Sequence, residues 1–386
     1  MVTKAPAGKP RSDAIRQVLV LQGGGALGSY QGGVYDALNA HGLQPQWVVG
    51  TSIGAINGAI IAGNPPERRL ERLHDFWQLV GRDEPLALWP ANPFTAWLAP
   101  WLSAGGLWQT VSRGIPGFFV PRRSASLDMG ATVPIQDASF YDTMPLRATL
   151  ERLIDFDYLN AGHVRCSVCA VAVATGEPVT FDNHKRRLAP EHIMASGALP
   201  PGFPPVMVDG KAYWDGGIYS NSPIDVVLDD LERSDTLCFM VDLWDATEAE
   251  PHSISAAMAR LKDIQYASRT YEHLQAHRAM QNMRRAIQIL TSRLAPKDRN
   301  DPALKSLSRL GCTSTINIVR LVMKALPSDD QNKDIDFSRA RLASRWQAGV
   351  NDAGRALQHK RWLAPVPKPV GMVIHELPQE ESQPTP

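Results

Sequence analysis

The stretch Trp47-Val48-Val49-Gly50-Thr51-Ser52-Ile53-Gly54-Ala55-Ile56-Asn57-Gly58 leaves the backbone little choice. An apolar run ends at Gly50, a hydroxyl follows at Ser52, and small residues of good helical character continue from Ala55 to Ala62. The pattern predicts a strand, a sharp turn and a helix. Gly50 and Gly54, two residues to either side of Ser52, let the turn tighten without a Cβ clash. Ser52 is then presented at the strand tip, with its N–H near the positive end of the following helix. This is the G-x-S-x-G geometry of a nucleophile elbow. The motif is short and built from common residues, so its surroundings must decide.

A similar unit comes just before it. Gln17 to Gln22 reads as a short buried strand, Gly23-Gly24-Gly25-Ala26-Leu27-Gly28 as a loop, and Ser29 to Ala40 as a helix. The first N–H groups of such a helix have no partner within it and form a site for negative charge. Two strand–turn–helix units in succession predict an α/β fold on a parallel sheet. Both turns then fall at the carboxyl ends of strands, where open α/β sheets place their sites. Gly23, Gly25 and Gly28 also fit G-x-G-x-x-G, but no acidic residue closes the second strand to hold a ribose. Ser52 stands there instead, and a dinucleotide is not expected.

The remaining chain reads as a continuation of this pattern. Helices are expected over Pro65 to Leu79, Leu146 to Ile154 and Ala189 to Leu199. Strands are expected at Val164 to Ala174, near Phe181, at Lys211 to Trp214 within a hairpin, at Asp235 to Leu243 and at Ser314 to Met323. A last helix spans Phe337 to Gln358. Residues 1–15 read as a flexible tail, and the Pro-rich chain over 364–386 as a disordered one. Residues 85–125 carry Trp89, Phe94, Trp97, Trp101, Trp108, Phe118 and Phe119 among prolines and glycines, which suits a cap or a lid that meets an acyl chain. The long helix over 253–294 is basic, with Arg260, Lys262, Arg269, Arg278, Arg284, Arg285 and Arg293 against Asp263 and Glu272. A solvated face, anionic lipid, a partner or a second copy of the chain all fit it.

Composition excludes several classes. With 40 basic and 39 acidic residues there is no global case for nucleic acid. Cys166 and Cys169 form a C-x-x-C without a second pair at zinc spacing, so they, Cys238 and Cys312 read as buried thiols. No run of 18 apolar residues is present, and Met1 to Arg16 lacks a stretch of signal-peptide length. A cytoplasmic protein is expected, at most peripheral at a membrane.

A serine hydroxyl needs a base to take its proton. His252, His273 and His277 satisfy the order Ser…Asp…His, yet none sits in a recognisable loop. Asp215 follows an apolar stretch and precedes Gly216-Gly217, which permit a tight turn around its carboxylate. Taken with the serine elbow and the glycine loop, the sequence resembles the bacterial patatin-like phospholipases. Gly23 to Gly28 is similar to that family's oxyanion loop and Gly50-Thr51-Ser52-Ile53-Gly54 to its nucleophile motif. Ala195 to Pro205 resembles its A-S-x-A-x-P-x-x-F segment, and Asp215-Gly216-Gly217 with Asn221 and Pro223 its D-G-G/A-x-x-x-N-x-P segment. One departure is Leu27, where the family usually carries Arg or Lys.

The resemblance implies a three-layer α/β/α patatin-like fold with a mostly parallel central sheet. The catalytic domain would span 16–245, with the 85–125 cap inserted, and a mainly helical C-terminal extension would cover 246–363. It further implies a Ser52–Asp215 dyad without histidine, metal or cofactor. Backbone N–H groups around Gly23, Gly24, Gly25 and Ala26 would hold the oxyanion, with Gly28, Gly50, Gly54, Gly216 and Gly217 as motif support. The expected activity is hydrolysis of lipid acyl esters, as in a phospholipase A or lysophospholipase. Two alternatives are a lipid- or membrane-binding protein with a vestigial dyad, and an acyltransferase. Membrane contact is expected through 85–120 or the basic helix.

Overall fold

The computed structural model describes residues 15–83, 113–122, 132–247, 250–295, 298–326, 329–359, 361–364 and 366–376. The expected tail over 1–14 and the aromatic segment apart from 113–122 lie outside the described residues.

Strand β1 (Arg16–Leu21) leads through a 3-10 turn, Gly25–Gly28, into helix α1 (Ser29–Ala40). Strand β2 (Trp47–Thr51) passes at Ser52 directly into α2 (Ile53–Ala62), and α3 (Pro66–Val80) follows. The short pair β3 (Val120–Pro121) and β4 (Tyr141–Asp142) precedes α4 (Met144–Leu153) and α5 (Phe156–Asn160). The Asp155 carboxylate caps α5 by accepting from the N–H groups of Asp157 and Tyr158. Next come β5 (Arg165–Ala172), β6 (Pro178–Asp182), α6 (Pro190–Ser196), β7 (Val206–Val208) and β8 (Lys211–Asp215). After α7 (Ile224–Leu228) and β9 (Thr236–Asp242) stands α8 (Ile254–Ser292), 39 residues long and capped by Ser253. The chain continues through α9 (Pro302–Ser308), β10 (Ile316–Val322), α10 (Arg339–His359) and β11 (Met372–Glu376).

Among the described residues, nine strands form one sheet in the order β11-β10-β9-β1-β2-β5-β8-β7, with β6 also on β5. The strands from β11 to β5 run parallel, while β6 and β8 run antiparallel to β5. Alternation along the strands feeds two cores. Leu19, Leu21, Val48, Phe239 and Val241 pack on one face with residues of α1, α2 and α10. Val18, Val20, Trp47, Val49, Cys238 and Met240 pack on the other with Ile224 of α7 and Leu274 of α8. The result is the expected three-layer α/β/α arrangement on a mostly parallel sheet.

Two expectations need correction. The chain beyond Ala364 is not wholly disordered, because Met372–Glu376 pairs in parallel with β10 and buries Met372. Nor is the mainly helical C-terminal part a separate attachment, because its strand β10 extends the central sheet beside β9. Helix α10 packs closely on α1: a Cβ at Gly33 would overlap the Trp346 carbonyl, and one at Gly349 the Tyr30 carbonyl. Only glycine lets the two backbones approach that far.

Candidate active site

The sheet register explains how Ser52 and Asp215 meet. Strand β6 occupies one edge of β5 from Ser167 to Val171. The opposite edge carries β2, whose last residue Thr51 stands across from Cys169. There β2 stops, and β8 takes over the same edge in the reverse direction, with Asp215 across from Ala170. The two strands therefore end tip to tip on consecutive positions of β5. The first residue past one tip is Ser52 and the last residue of the other is Asp215.

Each partner is held by its neighbours. Ser52 has φ of 56°, a left-handed conformation that is strained for a side-chain-bearing residue. Its N–H donates to Ser196 Oγ at 3.0 Å, and Ser196 Oγ donates to the Cys169 carbonyl at 2.5 Å, which ties the elbow to β5. A Cβ at Gly50 would overlap the Gly54 carbonyl, and one at Gly54 the Leu21 carbonyl, so the turn closes only with glycine at both places. The main-chain N–H of Asp215 donates to the Ala198 carbonyl at 3.0 Å, and its Oδ1 accepts the Gly217 N–H at 2.7 Å. The Ser52 side chain is near enough to the Asp215 carboxyl to draw its pKa down.

Both side chains line a cavity of about 350 Å³. Its walls are mainly apolar: Ile53, Ile56, Phe118, Phe119, Tyr141, Phe203, Trp244, Tyr266 and Phe337, with Leu199 to Gly202 along one side. Phe119 and Phe203 pack with ring centroids 5.1 Å apart, and Phe119 and Tyr141 at 4.8 Å. Burial pushes the Asp215 carboxyl up from 3.8 to about 7, and the nearby Ser52 hydroxyl and the Gly217 N–H pull the other way. A carboxyl with that value suits a general base at neutral pH.

The glycine loop differs from expectation. The Gly23 N–H donates to the Asn221 carbonyl at 3.2 Å and the Ala26 N–H to the Asp334 carbonyl at 2.8 Å. Neither is available to an oxyanion, which corrects their assignment as donors. Among the described residues the N–H groups of Gly24 and Gly25 make no such bond, and the same holds for Ile53 at the start of α2. These three are the available donors at this end of the cavity. The Gly23 carbonyl is fixed in turn by Asn221 Nδ2 at 3.0 Å and Trp244 Nε1 at 2.8 Å. Gly28 packs against Ile53 and Trp77. Leu27 is fully buried in the core, so the departure from the family pattern lies away from the cavity.

No histidine lines the cavity among the described residues. His273 Nδ1 lies 2.9 Å and His277 Nε2 3.1 Å from the Asp225 carboxylate, joining α8 to α7. Asp225 raises the His277 imidazole and is itself lowered by its two histidine partners, even though burial opposes the latter shift. The four cysteines are free, and burial pushes the Cys166 thiol up to about 12. No group of three metal-ligating side chains stands together among the described residues.

Sequence reasoning did not find Ser196, Trp244, Asp334 or the Ile53 N–H as parts of the site. Ser196 lies in a segment with a motif, but its bond to the Ser52 N–H has no signature of its own. Asp334 sits in the C-terminal part, where no motif directs attention.

A family model described as a patatin-like phospholipase matches residues 19–228, and a second, described as patatin phospholipase, matches residues 264–369. No curated protein matches the chain. Among solved structures, VipD from Legionella pneumophila is 14% identical with a TM-score of 0.38, over 89% of this chain and 67% of that one. Human GIVD cytosolic phospholipase A2 is 11% identical with a TM-score of 0.40, over 90% and 59%. ExoU of Pseudomonas aeruginosa, in its complex with SpcU, is 16% identical with a TM-score of 0.34, over 91% and 52%. The chain thus spans between half and two thirds of those proteins, and likeness this loose carries nothing about its activity. The first family model covers more than half of the sequence, and on that ground the chain belongs to the patatin-like phospholipase family.

Proposed function

We propose that this patatin-like phospholipase is a serine acyl hydrolase acting on lipid acyl esters through a Ser52–Asp215 dyad. The observation that carries the reading is the tip-to-tip meeting of β2 and β8 on β5, with both side chains facing one apolar cavity. Ser52 Oγ attacks the ester carbonyl while its proton passes to Asp215. The oxyanion accepts from the N–H groups of Gly24, Gly25 and Ile53, donors of which each is typically worth about 10²–10³ in rate. As the carbonyl re-forms, the ester C–O bond breaks and the leaving alcohol takes the proton from Asp215. Water then attacks the acyl-enzyme, giving its proton to Asp215, and Ser52 Oγ leaves and is reprotonated. The apolar walls suit the acyl chain, and no step calls for a metal.

The test is release of free fatty acid from a panel of phospholipids, lysophospholipids and acylglycerols, with short alcohols added as acceptors. Release from at least one ester is expected. A folded wild-type protein that releases none would leave the vestigial reading, and dominant transfer to the alcohols would replace hydrolysis with acyl transfer.

Membrane contact is better supported by apolar than by basic residues. Arg260 donates to the carbonyls of Asp245 and Ala246, Lys262 pairs with Asp334, and Arg285 donates to the carbonyls of Lys368 and Thr313. Those charges of α8 work within the fold. Asp263, Ala267, Thr270, Leu274 and Gln281 are its buried face, whereas Ile254, Met258, Leu261, Met283 and Leu290 are exposed at helical spacing. Such a stripe can lie in a lipid interface. Co-sedimentation with phosphatidylcholine vesicles is expected to persist at high salt and to fall in the variant Ile254→Ser/Leu261→Ser. Binding that needs anionic lipid and vanishes with salt would point to the basic residues instead.

A further inference from the structure

Residues 331–337 form a strap between β10 and α10 that reaches the glycine loop by two routes, one direct and one through Trp244. Asp334 touches it directly: its carbonyl accepts the Ala26 N–H at 2.8 Å, and it lies so close to Gly25 that a Cβ there would overlap it. Gly25 itself has φ of 55°, which favours glycine. Lys333 reaches the loop through Trp244. Its ammonium lies 5.4 Å from the indole ring, whose Nε1 donates to the Gly23 carbonyl. The two N–H groups left without partners, those of Gly24 and Gly25, fall between these anchors.

The strap is fastened to α8 by a cross-wired pair of ion pairs. Lys262 Nζ donates to Asp334 Oδ1 at 2.8 Å and Oδ2 at 3.1 Å, and to the Gln331 carbonyl at 3.1 Å. The next residue, Asp263, accepts from Lys333 Nζ at 2.6 Å. Neighbouring residues of opposite charge on the helix thus match neighbouring residues of opposite charge on the strap, which fixes the strap's register. The Asp263–Lys333 pair is nearly fully buried, with side chains 2% and 9% exposed. The Lys262–Asp334 pair is part-exposed, at 37% and 21%. A pair of the second kind contributes little to global stability.

We propose that Lys262 and Asp334 are positioning residues for the oxyanion loop, holding the Gly24 and Gly25 N–H groups aimed into the cavity. This rests on the hydrolase reading above. A glycine-rich loop is otherwise free to sample many backbone conformations, and donors stabilise a transition state only when fixed in advance. The residues that fix them belong to the C-terminal part of the chain, far in sequence from the loop.

The test is steady-state hydrolysis of a soluble acyl ester by the full-length chain and by Lys262→Met, Asp334→Asn, their double variant and Lys262→Arg. Each single neutral variant is expected to lose about tenfold or more in kcat, short of the 10²–10³ for outright loss of a donor, with KM and melting temperature nearly unchanged. The double variant should be no slower than the worse single, as for two residues acting through one bond. Lys262→Arg, which keeps the charge, should recover most of the wild-type kcat. An inactive wild-type protein would overturn the hydrolase reading. An active wild type with singles that keep its kcat, or that lose only through a raised KM, would overturn the positioning role. Additive losses in the double variant would do the same.

Discussion

Ser52→Ala is expected to reduce acyl ester hydrolysis by roughly 10⁴-fold or more, to the level that binding and the remaining donors sustain without a nucleophile. The loss should fall on kcat. The cavity walls that receive the acyl chain are formed by other residues, among them Ile56, Phe119, Phe203 and Phe337, and remain in place. The substitution removes one oxygen from a half-buried position, and alanine lacks any group that could take over. Stability should change little. Ser52 sits at a φ of 56°, and alanine at that angle keeps the same backbone strain. Fatty-acid release and urea unfolding on the same preparations check both halves of this expectation. Retained hydrolysis would remove Ser52 from the chemistry.

The second large effect belongs to Asp215→Asn, and it runs in opposite directions for activity and stability. Without a carboxylate to take the Ser52 proton, turnover should fall by about 10⁴-fold, as when a catalytic carboxylate is neutralised in a serine hydrolase. In the wild type, kcat/KM should rise with pH as the carboxyl ionises near 7 and level off above it. The same raised value has a stability consequence. Between its ordinary value of 3.8 and about 7, the folded protein holds a proton that the unfolded chain has released. Stability from this group is therefore fully present below about pH 4 and is lost as pH rises through 7. At pH 8 the wild type carries a buried charge and the asparagine does not. The variant should be the more stable there, by an amount on the order of 4 kcal/mol at most, and a gap of a few degrees in melting temperature should close toward pH 4. A variant less stable than wild type at pH 8 would mean that the carboxylate is better solvated than its burial indicates.

Much of the site is legible in the sequence because it is written in glycine. Gly50 is required by a backbone contact within the elbow itself, Gly54 by the approach of the Leu21 carbonyl of β1, and Gly216 by the approach of its turn to the Cys169 carbonyl. A backbone that close demands glycine whatever its partner, and a short motif records it. The junction that brings Ser52 to Asp215 is not local. It depends on β6 filling one edge of β5 so that β8 must follow β2 along the other, and no residue pattern encodes that choice. The proposed oxyanion donors were only half legible for a related reason. All four residues from Gly23 to Ala26 look alike as a glycine loop, but the carbonyls of Asn221 and Asp334 take the outer two N–H groups. Asp334 itself stands in a polar run, Asp329 to Asp336, with nothing to mark it as a neighbour of the loop. Strand β11 was hidden by its surroundings: five residues flanked by proline and glutamate on a chain end, recognisable only once β10 is there to pair with.

The basic helix shows the reverse failure, a pattern clearer in sequence than in its structural meaning. Counting arginines and lysines over 253–294 suggests a charged outer face. In the fold, Arg260, Lys262 and Arg285 turn to carbonyls and to Asp334, and the exposed positions include Ile254, Met258 and Leu261. Charge counts along a helix do not say which charges are already engaged.

Ser52 is the proposed acyl carrier, and intact-mass analysis after reaction with an alkyl fluorophosphonate puts that role to the test. A single adduct is expected on the wild-type chain, mapped by peptide analysis to the segment containing Ser52 and absent from Ser52→Ala, with labelling faster above pH 7 than below it. An adduct on another residue, or an enzyme that hydrolyses lipid esters yet takes up no label at Ser52, would contradict the account.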